Sequence, residues 1–374
     1  MQFANSKNLA GNATPAPMTK NVSLQWARAV AALMVVLYHA SEYLFISKSS
    51  TWGREHIPSW YGVVGVALFF ALSGYLMSRV MEKSTAGTFL THRIARIYPS
   101  FLIVTAVFFA IGTFTGLRPP ISLRALTLLP FGTNVTYPLG VEWTLIFEIV
   151  FYSFVCLLIL FKKQKEAVSF LTGWLLLIAI NNVLRPDDPS INLFEPSLLP
   201  LVSLNVPFVV GMLLPLIVKG KTPHPLLSII FAVAAFWVGV SQGIMQARWM
   251  IGAGCALVVL SLARHQFTLR LPGKNALNAV GNRLGGYSYA LYLVHVPVIR
   301  TIYYLLPSMK PGKAFVIAVA ASVLVSIPFG ELDLFLYRSL KIAVDKWKED
   351  RKRGIAVAFT VTFLAAALVG QHFA

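Results

Sequence analysis

Charge is scarce in these 374 residues. Asp, Glu, Lys and Arg make up 12% of the chain, about half the share of an ordinary soluble domain. Acidic residues are scarcer still, 14 against 32 Lys and Arg, which leaves a formal charge of +18. Cysteine is almost absent: Cys156 and Cys255 lie in apolar stretches, so no disulfide framework is encoded and each reads as a small core residue. Several signatures are missing too. The chain has no Walker loop, no dinucleotide-binding glycine pattern, no paired metal-ligand spacing and no serine elbow. Those absences remove support for metal-centred and soluble-hydrolase chemistry. No internal repeat or soluble domain is visible.

Apolar sequence fills the space that charge leaves. The chain is 57% hydrophobic, its mean hydropathy is +0.70, and the apolar residues arrive in blocks of about twenty, the length that crosses a hydrocarbon core. Candidate spans fall near 22–46, 60–80, 98–117, 140–161, 167–184, 198–218, 225–242, 247–263, 286–306, 313–337 and 354–370. The expected fold is an all-α integral membrane protein, a bundle of about 10–11 transmembrane helices. The N-terminal tail and the even-numbered loops carry 22 Lys and Arg and the odd-numbered loops carry 8. By the positive-inside rule the N-terminus is cytoplasmic. Orientation in a lipid bilayer thus accounts for the basic charge, and no nucleic-acid partner is called for. The first span lacks a cleavage site and reads as a permanent helix.

Three regions are expected. Residues 1–21 form a disordered cytoplasmic tail, residues 22–340 a membrane domain, and residues 341–374 a basic segment followed by an extra C-terminal helix that looks like an anchor. TFLTHRIARIYP, between the second and third spans, reads as a short helix along the cytoplasmic interface. Its basic residues either face lipid phosphates or bind a ligand.

Ionisable groups inside spans are costly and mark candidate sites. Arg28 and His39 share one face of the first span, about 16 Å apart along the axis. Glu148 in the fourth span is placed at a depth similar to His39. A carboxylate there can fix the tautomer of an imidazole base, or the two can form a structural ion pair. His295 sits mid-span above Pro297, with a structural and a functional reading both open. Glu331, Asp333 and Arg338 read as a local ion-pair group. The glycines and alanines of YGVVGVALFFALSGYL predict close helix packing.

Arg28-x10-His39, GVALFFALSGYL, RIARIYP, WTLIFEIVFY and GYSYALYLVHVP occur in order across residues 20–340. Together they resemble the bacterial acyltransferase family 3. The resemblance implies a membrane-embedded enzyme of the bacterial inner membrane that moves an acyl group, usually acetyl from cytoplasmic acetyl-CoA, to an extracytoplasmic glycan. It implies that Arg28 and His39 are essential to transfer, that Arg93 and Arg96 are the arginines of the interfacial motif, and that Glu148 is the acidic residue of the fourth-span motif. The SGNH-type domain that many members carry is not expected after the tenth span, and the core usually has ten spans.

On this reading Arg28, Arg93 and Arg96 hold the phosphates of acyl-CoA. His39 acts as general base or carries the acyl group, and Glu148 orients it. Tyr137, Trp143 and His295 are placed with the acceptor, an exopolysaccharide or lipid-linked oligosaccharide, although Trp and Tyr also gather at membrane interfaces for lipid reasons. No metal is expected. A transporter or flippase of sugars is the alternative from another class, and succinyl transfer the alternative within the enzyme class.

Overall fold

Asn21 sets the start of the first helix. Its side-chain oxygen accepts from the Leu24 amide, and its amide nitrogen donates to the carbonyls of Leu262 and Ala263. One residue thus caps one helix and ties it to the end of another. The computed structural model describes residues 21–117, 122–130, 137–185, 195–219, 224–241, 244–265 and 274–370. Residues 1–20, the rest of the expected tail, lie outside them.

Every regular element among the described residues is helical. The α-helices are Val22–Lys48 (α1), Trp52–His56 (α2), Trp60–Met81 (α3), Ala86–Thr115 (α4), Leu123–Thr127 (α5), Glu142–Leu160 (α6) and Ala167–Leu184 (α7). They continue with Val206–Val218 (α8), Pro225–Ser241 (α9), Ile244–Arg264 (α10), Lys274–Leu305 (α11), Pro311–Asp345 (α12) and Glu349–Val369 (α13). Each of the eleven expected spans coincides with one of these helices, and eight are long and apolar enough to cross a membrane. Three differ. The helices α8 and α9 have only 13 and 17 residues, and α11 begins with the polar stretch KNALNAVGNR.

The sixth expected span, 198–218, is a broken one. Pro196–Leu201 and Ser203–Asn205 are 3-10 turns, followed by α8, which is about 20 Å long. Backbone without α-helical bonding survives at membrane depth only when protein groups satisfy it. Here the Trp174 indole donates to Pro200 O at 2.5 Å, Asn181 donates to Leu201 O at 3.1 Å, and buried Asn205 donates to Leu199 O and Val202 O.

Helix α1 runs through the centre, between α3 and α11; α12 packs on α11, α8 and α10 pack on α3, and α4 joins α6, α12 and α13. The small residues of α3 act as expected at Gly74, where α3 and α8 meet backbone to backbone. A Cβ on Gly74 would strike Phe208 O, and one on Gly211 would strike the Ala71 backbone.

Three expectations need correction. TFLTHRIARIYP is not a separate interfacial helix but the first turns of α4, one 30-residue helix with Pro99 inside it. Proline removes one backbone donor, yet the helix continues through it, and Tyr289 of α11 donates to Ile97 O at 2.9 Å. The expected boundary at residue 340 falls within a helix. Helix α12 runs through it, and α13 is bound to α4 rather than standing apart. Glu349 accepts from the hydroxyls of Thr85 and Thr88, Lys352 donates to Thr88 at 2.8 Å, and Phe359 meets Tyr98 edge-on.

The third correction concerns residues 118–139, expected as an outer loop. Tyr98 donates to Thr127 O at 2.7 Å. Tyr98 precedes the end of α4 at Thr115 by 17 residues, about 25 Å of helix. Ala125, Leu128, Leu139 and Val141 are all 0% exposed. The described part of the segment therefore folds back into the bundle, and α6 begins inside it.

The α3–α8 contact yields a test. Gly74→Ala should cost about 1–3 kcal/mol through overpacking, read as a lowered melting temperature in detergent. Gly173→Ala, with nothing within 4 Å of its Cβ position, should leave stability unchanged or slightly raised.

Candidate functional site

The polar side chains of the spans collect around α1. Arg28 and His39 lie on one face of that helix, as their spacing predicts. Arg28 lines an internal cavity of about 80 Å³ together with Val66, Phe69, Phe70, Thr144, Leu145, Glu148, Tyr289 and Tyr292. Its walls come from α1, α3, α6 and α11. Glu148 lies in the field of Arg93, Arg28 and Arg96, with the Tyr152 hydroxyl beside it. The Arg93 guanidinium stands 5.6 Å from the Phe89 ring and 5.7 Å from the Tyr152 ring, and its Nε is buried with no hydrogen-bond partner.

Arg96 is differently placed. It forms a 2.5 Å ion pair with Asp333 of α12, which is 1% exposed and also accepts from Ser100 at 2.7 Å. The rings of Tyr289 and Tyr337 flank the guanidinium at 5.0 and 5.4 Å. The expected local group of Glu331, Asp333 and Arg338 is thus replaced by contacts between helices: Asp333 takes Arg96, and Glu331 takes the Tyr287 hydroxyl. A carboxylate in a dry interior needs a cation and donors around it. The first turns of α4 supply both.

His39 has a different partner from the one expected. No hydrogen bond joins it to Glu148. The depth match fails because α6 starts inside the bundle, which carries Glu148 down to the level of the arginines. His39 Nδ1 lies 3.1 Å from Val35 O and 3.1 Å from His295 Nε2. His295 Nδ1 in turn lies 2.8 Å from Tyr292 O and 3.2 Å from Leu291 O. His295 is 0% exposed and meets His39. Among the described residues His39 Nε2 has no hydrogen-bond partner.

Tyr292 separates the two levels. Its hydroxyl is 2.7 Å from that of Thr144. Its ring meets Phe69 edge-on at 5.9 Å on the cavity side and lies 5.7 Å from His295. Tyr38 and Tyr43 flank His39, with ring centroids 5.2 and 6.3 Å away. Of the aromatic residues expected at an outer mouth, Tyr137 packs half-buried on the core and Trp143 sits edge-on to Phe147 at 6.2 Å.

Sequence reasoning passed over Glu142. It is 0% exposed, and its carboxylate accepts from the amides of Leu139 at 2.6 Å and Val141 at 2.9 Å. It thereby holds the returning chain against the N-terminus of α6. Its place directly before WTLIFE carried no signal, because nothing in the sequence shows that the chain re-enters the bundle there.

Comparison with known proteins places this arrangement in a family context. Residues 21–331 match the family model described as an acyltransferase domain, Acyl_transf_3. The chain is 28% identical over 323 residues to the acyltransferase MdmB of Streptomyces mycarofaciens, covering 76% of this chain and 81% of that one. It is 27% identical over 184 residues to nodulation protein 10 of Rhizobium leguminosarum bv. viciae, covering 40% of this chain and 49% of that one. No solved structure matches it.

The Arg96–Asp333 pair gives a direct measurement. Asp333→Ala leaves a buried guanidinium uncompensated and should cost about 3–5 kcal/mol. Adding Arg96→Met should recover most of that loss in the melting temperature. A double variant no more stable than Asp333→Ala alone would show that the pair is not the unit of stability.

Proposed function

The chain belongs to the acyltransferase family whose model spans it, and on that premise we propose that it moves acetyl from cytoplasmic acetyl-CoA to a hydroxyl of a glycan at the opposite face of a bacterial inner membrane. A lipid-linked oligosaccharide or a growing exopolysaccharide is the acceptor. The observation that carries this reading is His39, an imidazole deep in the bundle whose Nε2 has no hydrogen-bond partner among the described residues. It stands on the same helix face as Arg28, about 16 Å away.

The basic side of the bundle, where α1 begins, is the cytoplasmic side by the positive-inside rule. Arg28, Arg93 and Arg96 lie toward that side. Arg96 is already neutralised by Asp333, so Arg28 and Arg93 are the groups left to attract the donor. Three guanidinium groups face two carboxylates here, Glu148 and Asp333. The surplus of one positive charge suits the thioester arm better than a nucleotide with several negative charges.

In the transfer step the acceptor hydroxyl gives its proton to His39 Nε2 while its oxygen attacks the acyl carbon. The C–S bond breaks, and the CoA thiolate leaves, taking a proton from His39. Glu148 serves by holding Arg28 and Arg93 in place rather than by touching His39.

The test is acetyl transfer from labelled acetyl-CoA by purified protein, with glycans from the producing cells as acceptor. His39→Ala should lose roughly 10²- to 10⁴-fold in rate while remaining folded. Arg93→Ala should raise KM for the donor more than it lowers kcat. Wild-type product from His39→Ala would remove the assignment, and transfer of an unacylated sugar across vesicles without any donor would point to a transporter instead.

A further inference from the structure

His295 is fully buried, and it touches the one residue to which the proposed transfer assigns the proton. The donors and acceptors around the two rings leave little freedom. His295 Nδ1 faces two backbone carbonyls, Tyr292 O at 2.8 Å and Leu291 O at 3.2 Å. A carbonyl oxygen only accepts, so Nδ1 carries the hydrogen. The neutral ring then presents a lone pair at Nε2, and that lone pair lies 3.1 Å from His39 Nδ1.

His39 Nδ1 has a second acceptor, Val35 O, also at 3.1 Å. The opposite assignment would set a lone pair on His39 Nδ1 against the lone pairs of Val35 O. It would also need a charged His295 with no carboxylate among its hydrogen-bond partners. Only one neutral arrangement agrees with all four contacts. Both rings are protonated at Nδ1, and the free lone pair of the dyad is His39 Nε2.

We infer that His295 is the positioning residue of the site. It holds His39 as the Nδ1–H tautomer and accepts from that N–H when His39 Nε2 takes the acceptor's proton. This rests on the reading of His39 as the base. A hydrogen bond from an imidazolium N–H is stronger than one from a neutral ring, so His295 contributes most when His39 is charged. Val35 O alone is left with a bond along its own helix, four residues back, whose direction the helix geometry fixes. The ring of His295 supplies the acceptor from across the α1–α11 contact and locks the plane of the His39 ring.

Helix α11 is built for this. The His295 ring turns back along its own helix to the carbonyls one turn before it. Tyr292, whose carbonyl bonds the His295 ring, is held from its other end by Thr144. Position 295 thus links the wall of the inner cavity to His39.

The experiment uses the full chain in nanodiscs and two readouts. Solid-state ¹⁵N spectra of histidine-labelled protein, assigned with His39→Ala and His295→Gln, should show both rings protonated at Nδ1 and bare at Nε2. A His39 ring protonated at Nε2 overturns the inference whatever the activity.

In acetyl-transfer kinetics His295→Leu should lower kcat by roughly 10²-fold, the lower end of what a positioned base supplies. KM for acetyl-CoA and the melting temperature should stay near wild type. His295→Gln, whose Oε1 reaches about as far as the imidazole Nε2, should recover most of the loss. Equal impairment of Gln and Leu variants with a lowered melting temperature would make His295 structural only. If His39→Ala is inactive and His295→Leu matches wild type, this inference falls alone. If His39→Ala keeps the wild-type rate, the assignment of the base falls with it.

Discussion

A hydrocarbon interior offers no water to an unpaired polar group, so every donor, acceptor and charge between the membrane faces has to be met by the protein itself. That constraint shapes this bundle. Arg96 and Asp333 neutralise each other from different helices, and Ser100 completes the carboxylate. The 3-10 turns ahead of α8 persist because Trp174, Asn181 and Asn205 bond their carbonyls. Glu142 is held at complete burial by the amides of a returning loop. Each irregular feature sits where a side chain from elsewhere in the chain completes it.

The same constraint makes the exceptions informative. Arg93 Nε is buried without a partner, and His39 Nε2 has none among the described residues. Of these two groups one lies toward the basic side and the other deeper in the bundle. Tyr292, Thr144 and Phe69 stand between the cavity of Arg28 and the two histidines.

Helix α13 lies outside the stretch matched by the family model, residues 21–331, and yet it is bound to the first turns of α4, which carry Arg93 and Arg96. Thr85, Thr88, Glu349 and Lys352 form that junction. In this chain the position of the α4 arginines depends on a helix that the matched region does not include.

The sequence by itself determined the membrane-spanning all-α class, the location of eleven helices and the shared face of Arg28 and His39. These follow from local quantities, namely apolar length, basic-residue distribution and the helical repeat. The order of the motifs also pointed to the family. Depth and partnership across the bundle belonged to the tertiary structure alone. Glu148 missed His39 because the described residues 122–130 and 137–141 pack back inward and α6 starts below the surface, a path that hydropathy does not encode. Asp333 found Arg96, 237 residues away, rather than its sequence neighbours, because α4 and α12 pack side by side. His295 met His39 for the same reason, 256 residues apart. Periodicity fixes which way a side chain faces on its own helix, and only the packing of whole helices decides what it faces.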